Sequence, residues 1–456
     1  MLKRIAAALW GNFESTDEVK KFSLLGSLFL LIIGTYWALR PIKDSIFGAI
    51  VGMSYQPMAK WLSLLLIVPL VIAYGKLIDK FQRQYVFYIL TIVYATLALV
   101  FAWYFSDPVV GLANKVADPS RVIGWLWYIY VESFGSLIVA LFWAFTTDIT
   151  TEESASRGFP LISLFGQTGN ILGPLVLNAQ RWGFSHSGPI VAVVGIMTLL
   201  MGVLMWVFMQ VVPKSQLKGY QAAGEATHGN HEKESEPGFL EGLKLLVSQP
   251  YLLGIFLIIT IYEVIVTVFD YHLKTMSKAV YPNEVDHAAY LTNYAIATGI
   301  VATICLLLGI NNIQRKLGAT ASLIMMPILV AVAIVTLKFS PALGVVFWIM
   351  VFAKAVNYAL NQPTLKQLYI PTTKETKYKS QAWIEMFGSR GAKGAGSIIN
   401  NFQKAFIKNY GAQNGMALFI TMSSIISMSL VVGWLFVVLY VAKTYNKAIK
   451  HKEVVC

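Results

Sequence analysis

Runs of about twenty apolar residues recur along this chain, and that length matches what a helix needs to cross a bilayer. Twelve can be counted in the 456 residues, near 22–50, 59–78, 85–105, 122–147, 158–181, 188–212, 251–272, 288–312, 317–338, 341–362, 381–405 and 415–442. Charged residues make up 13% of the chain, against roughly 25% in soluble proteins. A soluble helical bundle needs many more charged outer faces than that. The expected fold class is therefore all-α: a polytopic membrane protein with twelve transmembrane helices in two six-helix halves. The first run is the longest, and Pro41 inside it is expected to kink the helix.

Composition changes between the sixth and seventh runs. PKSQLKGYQAAGEATHGNHEKESEPG, residues 213–238, is polar and rich in Gly, Ser and Glu, as flexible linkers are. Six runs, a linker and six runs is a layout of related halves, and transporters of that design bind substrate between them at mid-membrane. The expected division is a cytoplasmic N-terminal amphipathic segment (1–21), an N-terminal half (22–212), a linker (213–250), a C-terminal half (251–442) and a tail (443–456). With a cytoplasmic N-terminus, about 22 of the 36 Lys and Arg fall on cytoplasmic segments and about 9 outside. The positive-inside rule then places both termini and the linker in the cytoplasm. The net charge of +13 largely reflects this bias. Its basic residues are scattered over loops, so nucleic acid is not an expected partner.

The loop GKLIDKFQR (75–83), expected between the second and third runs, is similar to the G-x-L-x-D-r-x-x-R loop of the major facilitator superfamily. GINNIQRKLG (309–318) is a weaker echo in the second half. Two cysteines, Cys305 and Cys456, give no disulfide framework and no metal pair. No HExxH or GxSxG occurs, and GAKGAG lacks the order and the preceding strand of a phosphate-binding P-loop. An enzyme, a metal site and a cofactor are all unexpected.

Charges inside the runs are the candidate site. A charged side chain at mid-bilayer costs about 2.5–3.5 kcal/mol on insertion scales and usually faces a cavity or a partner. Such residues are Arg40, Lys43 and Asp44, then Glu132, Glu263, Asp270, Lys354, Glu385, Arg390 and Lys393. They could serve only to neutralise one another across helices. Against that, Arg-x-x-Lys occurs twice, at 40/43 and 390/393, and puts two cations on one helix face. The second pair stands among Gly388, Gly391, Gly394 and Gly396, suited to close helix packing or to backbone contact with a ligand. Lys and Arg together suit phosphate: Arg offers a planar fork and Lys a mobile point charge.

Three blocks carry a family resemblance. LRPIKDS (39–45) resembles LRPLKDS of the ATP/ADP translocases of intracellular bacteria and plastids, the nucleotide transporter family. FWAFTTDITTEESASRGFPLISLFGQTGN (142–170) and YIPTTKETKYKSQAWIEMFGSRGAKGAGS (369–397) are similar to two further blocks of that family. The resemblance implies a twelve-span, major-facilitator-like nucleotide transporter working by alternating access. It also implies substrate roles for Lys43, Glu132 and Lys393, and for a span-seven acid that gapless counting puts at Asp270, with Glu263 as the alternative. Arg390, Arg40, Lys354 and Asn170, which closes the FGQTGN block, are counted with them.

The chain departs from the family pattern in span ten, where Asn357 and Gln362 stand in place of charged residues. The expectation is an exchanger of ATP, ADP or related nucleotides in a bacterial inner membrane, a monomer with the lipid bilayer as its other partner. Glu132 and Asp270 would hold the cations Lys43, Arg40, Arg390 and Lys393, and the assisting Lys354, when the site is empty. A proton-coupled importer of another nucleotide or phosphorylated anion is the alternative. Tyr36, Trp37 and Tyr262 are candidates to stack on a base. A non-transporting membrane scaffold is disfavoured by the paired cations and the two-fold layout.

Overall fold

In hydrocarbon, every backbone N–H and C=O must find a partner within the protein, and an apolar run achieves this by coiling into a helix. The computed structural model describes residues 13–217, 244, 246–307, 311–340, 342–373, 384, 388–451 and 453–455, and these are helical with no strand among them. The expected surface helix up to residue 12, the linker core 218–243 and Glu385 lie outside the described residues.

The helices are α1 (Thr16–Phe47), α2 (Gln56–Lys80), α3 (Arg83–Ser106), α4 (Val122–Asp148), α5 (Glu152–Val176) and α6 (Gly188–Val211). After the linker come α7 (Pro250–Val280), α8 (Glu284–Leu307), α9 (Asn311–Phe339), α10 (Leu343–Gln367), α11 (Ser389–Tyr410) and α12 (Ala412–His451). Among the described residues nine stretches are long and apolar enough to cross a membrane, the first running continuously over Thr16–Tyr74. Helices α5 and α11 are not among the nine. They carry the charged and small residues quoted above.

Two sequence expectations shift. Helix α1 starts at Thr16 rather than near residue 22, because Ser15 caps it: its side chain accepts from the Glu18 N–H at 3.1 Å. The Glu18 carboxylate accepts from Ser154 Oγ (2.7 Å) and Arg157 Nη2 (3.0 Å). Lys21, also buried, donates to the carbonyls of Ile149 (2.5 Å) and Gln216 (2.9 Å). The end of the expected surface segment is thus built into the first long helix. Likewise GKLIDKFQR is mostly not a loop. Helix α2 continues through Lys80, and only Phe81 and Gln82 separate it from α3. Arg83 then pairs with Asp148 at the end of α4 and donates to the Ala144 carbonyl at 2.6 Å.

The chain forms two compact units. The first comprises Met1–Met53, Leu65–Asn230 and Tyr281–Ile296, and the second Ser54–Leu64, His231–Val280 and Ala297–Cys456. The start of α2 therefore belongs to the second unit and the start of α8 to the first.

In the first unit α1 packs most extensively on α5, and α3 on α6. The α1–α5 seam is nearly all backbone: a Cβ on Gly173 would meet the Gly34 carbonyl oxygen at 2.1 Å, and one on Gly169 the Leu30 oxygen at 2.4 Å. Small residues at such a seam let helices close without side chains between them. Helices α3 and α4 are joined instead by aromatics, with Trp127 within 5.4 Å, centroid to centroid, of Phe101, Phe105 and Tyr130. Such ring pairs contribute about 0.5–1.5 kcal/mol each beyond burial. Buried Glu284, opening α8, accepts from Ser45 Oγ (3.0 Å), Ser187 Oγ (2.6 Å) and the Ser187 N–H (3.0 Å).

In the second unit α7 packs on α11, and α12 on α9 and α11. Helix α10 widens to a π turn over Asn357–Asn361, where the Gln362 N–H reaches back to the Asn357 carbonyl. Pro363 follows at once. Its ring would crowd the carbonyl four residues back in a regular helix, and a wider turn relieves that clash.

Candidate functional site

In the first unit the site residues come from α1 and α4. Lys43 is buried, and its ammonium donates to Glu132 Oε1. It also lies 4.0 Å from Asp44 Oδ1 and 4.2 Å from the centre of the Tyr128 ring. The face of a tyrosine adds attraction for a cation, worth up to about 2 kcal/mol when desolvated. Arg40, one turn earlier, stacks over Trp37 (4.8 Å) and Tyr36 (5.7 Å). Tyr36 fits there because residue 135 is glycine: a Cβ on Gly135 would lie 2.1 Å from the Tyr36 ring. Glu132 is thus paired with Lys43, one of the cations expected to be held by the two acids. Tyr36 and Trp37 stand against the Arg40 guanidinium.

Asn170 lies on α5 beside the glycine seam. Its side-chain carbonyl is buried and makes no hydrogen bond to the described residues. A buried acceptor left so costs about 1–3 kcal/mol.

In the second unit the two acids of α7 meet different cations, and Asp270 meets Lys354, one of those expected. Asp270 does not hold Arg390 or Lys393 through any bond among the described residues. Its Oδ1 accepts from Lys354 of α10 at 2.8 Å, and its Oδ2 stands 2.5 Å from Lys274 of its own helix. Glu263 is the acid near Lys393, at 3.8 Å. Seven residues of helix separate the two acids, about 10 Å along the axis, so each meets a different set of cations. Lys393 is half exposed, at 49% of its side chain, whereas Asp270, Lys274 and Lys354 are each below 17%. Arg390 sits one turn before Lys393 and is partly buried. Tyr262 is buried against Trp434, with ring centroids 6.1 Å apart. It is a packing residue rather than an open stacking platform.

The glycines around Lys393 divide by use. A Cβ on Gly388 would meet Phe256, one on Gly394 would meet Trp61, and one on Gly396 the Val264 carbonyl at 2.8 Å. Those three let neighbours in. Around Gly391 nothing among the described residues lies within 4 Å of where a Cβ would be, so its backbone is open beside Arg390. Lys274 was missed in the sequence reading, although the Asp270–Lys274 spacing of four is a standard helical ion-pair signal. No group of His, Cys, Asp and Glu suited to a metal occurs among the described residues.

Each unit thus holds an ion pair between helices: Lys43 with Glu132 in the first, Lys354 with Asp270 in the second. Solved structures with the same fold are transporters. A bacterial homologue of the iron transporter ferroportin, in an inward-facing state, superposes with a TM-score of 0.63 at 10% identity, covering 92% of this chain and 100% of its own. The nucleoside transporter NupG superposes with a TM-score of 0.58 at 12% identity, over 93% and 99%. The molecule is thus an all-α, multi-pass membrane protein with the fold of these structures, and its family makes it a transporter rather than an enzyme. It belongs to the TLC ATP/ADP transporter family, which it matches over residues 1–110 and 122–445. Similar relatives include ADP,ATP carrier protein 3 of Rickettsia bellii (strain RML369-C), 23% identical over 95% of this chain and 96% of that one. Another is the chloroplastic ADP,ATP carrier protein 1 of Arabidopsis thaliana, 26% identical over 84% of this chain and 68% of that one.

Proposed function

We propose that this chain exchanges ATP for ADP, or closely related nucleotides, across a bacterial inner membrane by alternating access. Membership of the ATP/ADP transporter family supports the substrate class. The observation that carries the mechanism is the pairing of buried or partly buried cations with carboxylates: Lys43 with Glu132, and Lys354 with Asp270. A carboxylate keeps each ammonium solvated by charge while no substrate is present. Arriving phosphate oxygens offer the same partner with more charge, and the acid is released. Each state of the site then has its own set of ion pairs. Differential contact of that kind is what lets a ligand shift a conformational equilibrium. Arg390 and Lys393 supply further phosphate contacts, with Gly391 leaving the backbone open to them. Arg40 and Asn170 complete the set on the first unit.

In this reading the helices make twelve crossings, six on either side of a cytoplasmic linker, both termini face the cytoplasm, and the monomer is the working unit. Uptake of labelled ATP by proteoliposomes, with and without ADP inside, tests it. Uptake that requires internal ADP supports exchange.

Asn357 opens the widened turn of α10 and Gln362 follows it; both stand where the family resemblance implies charges, and they favour one second reading. That reading is import of a different nucleotide or phosphorylated anion coupled to protons. Uptake that follows an imposed proton gradient and ignores internal nucleotide would select it.

A further inference from the structure

Glu284 is a carboxylate almost closed off from solvent, 3% exposed. Ser45 Oγ, near the end of α1, donates to it at 3.0 Å, Ser187 Oγ at 2.6 Å and the Ser187 N–H at 3.0 Å. Both serines are buried, and all three donors are neutral. Glu284 is the first residue of α8, and Ser187 is the residue that opens α6. The carboxylate therefore lies where two helix N-termini meet, and the partial positive charge of each favours an anion there.

A serine opening a helix normally turns its oxygen onto N–H groups of its own first turn, from an extended backbone. Ser187 makes no such bond, and its backbone is αR, with φ −76° and ψ −3°. Its hydroxyl is turned to Glu284 instead. Helix α6 is thus capped from α8, 97 residues further along the chain. Beside this cap Asp286 accepts from Gln180 Nε2 at 3.0 Å, in the exposed loop before α6. Residues Tyr281–Ile296 accordingly belong to the first unit, while α8 from Ala297 onward belongs to the second.

In alternating access the last six helices move as a body against the first six. The start of α8 cannot then stay bonded to α1 and α6 in every state. Parting a buried ion pair would strand a charge. A carboxylate held by two hydroxyls and an amide loses less, because water supplies equivalent donors. Once Glu284 leaves, Ser187 can turn back to cap α6 itself, and Glu284 keeps its place at the N-terminus of α8. Both states are capped, and only the partner changes.

We propose that Glu284, Ser187 and Ser45 form a releasable latch, which holds the start of α8 on α1 and α6 in this conformation and lets go when the transporter opens at that end. Ser45 stands two residues beyond Lys43, about 3 Å along the axis, so one end of α1 carries both the latch and the Lys43–Glu132 pair. The latch rests on the alternating-access reading above and not on which nucleotide is carried.

The test is the distance between nitroxide labels at Ser185→Cys and Asn283→Cys, two exposed positions beside the latch. The full chain is used, with Cys305 and Cys456 replaced by serine, in phosphatidylcholine nanodiscs. Pulsed electron resonance should show a short distance as the main population and a longer one as the minor. Glu284→Ala, Ser187→Ala and Ser45→Ala should each raise the ratio of long to short about tenfold or more, as loss of one hydrogen bond to a charge allows. If Glu284→Ala does not fold, the two serine variants carry the same expectation. A ratio unchanged in Ser187→Ala and Ser45→Ala, or variants that melt lower while keeping the short distance alone, would overturn the latch and leave a static cap. Uptake of labelled ATP by the same chain in proteoliposomes separates the two readings. Uptake without the distance shift removes the latch and leaves transport standing, and the shift without uptake keeps the latch and removes ATP.

Discussion

Lys43 and Glu132 form an ion pair between α1 and α4 in which the two partners are unequally buried: 7% of the lysine side chain is exposed and 40% of the glutamate's. The ammonium is fixed between a ring, a carboxylate and the packed helix, while the acid is within reach of solvent. In the exchange proposed above, a phosphate would displace Glu132 at lower cost than it would take to move Lys43.

That asymmetry predicts different failures for the two partners. Lys43→Gln removes the phosphate contact and leaves an acid that water can solvate. Uptake should fall by about 100-fold, as loss of a charged hydrogen bond allows, with little change in melting temperature. Glu132→Gln leaves the buried ammonium short of a partner, and removing one member of a buried pair costs up to about 3–5 kcal/mol. Melting curves in detergent should show Glu132→Gln as the less stable variant.

Lys393 offers the converse case. It is half exposed and 3.8 Å from Glu263, a pair of the kind worth less than about 1 kcal/mol to stability. Lys393→Ala should melt like the wild type and take up no nucleotide. Normal uptake by that variant in proteoliposomes would place Lys393 outside the site.

Asp270 sits at the meeting point of its cations. Asp270→Asn removes the charge that Lys274 and Lys354 share and should cost about 3–5 kcal/mol. Glu263→Gln should cost far less. The double variant Asp270→Asn with Lys274→Gln should regain part of the lost stability, since one uncompensated ammonium goes with the acid. Thermal unfolding of the three variants measures the order.

Two glycine substitutions separate packing from ligand approach. Gly173→Ala places a methyl group 2.1 Å from the Gly34 oxygen. Backbone cannot give way there, so the variant should lose at least about 1–3 kcal/mol, the usual cost of overpacking, or fail to assemble. Gly391→Ala adds a methyl to open space on a helix and should keep or slightly raise stability. A fall in uptake with unchanged melting would show that substrate comes up to that backbone.

The long helices were legible because bilayer thickness sets an apolar run length that a sequence displays directly. Lys43 and Glu132 were picked out singly through the resemblance, but their pairing with one another was not. Which cation faces which acid in the second unit was not legible. Apolar run length says nothing of how α7 is rotated against α10 and α11, and the pairing of Asp270 with Lys354 rather than Lys393 depends on that rotation. Lys274 could have been read from its spacing to Asp270. The start of α1 was misjudged because apolar content was followed instead of the Ser15–Glu18 cap. The GKLIDKFQR segment was taken for a loop on a motif, although no proline interrupts the helix there.

The glycine seam between α1 and α5 restricts how the site can respond. With the Gly34 carbonyl against Gly173, neither helix can slide or roll past the other without backbone collision. The two behave as one beam, and Lys43 is mounted on it about 13 Å along the axis from Gly34. In the exchange proposed above, the movement that parts Lys43 from Glu132 would then come from α4 or from the side chains themselves. The lysine would be the fixed post of the pair, and the glutamate the part that swings.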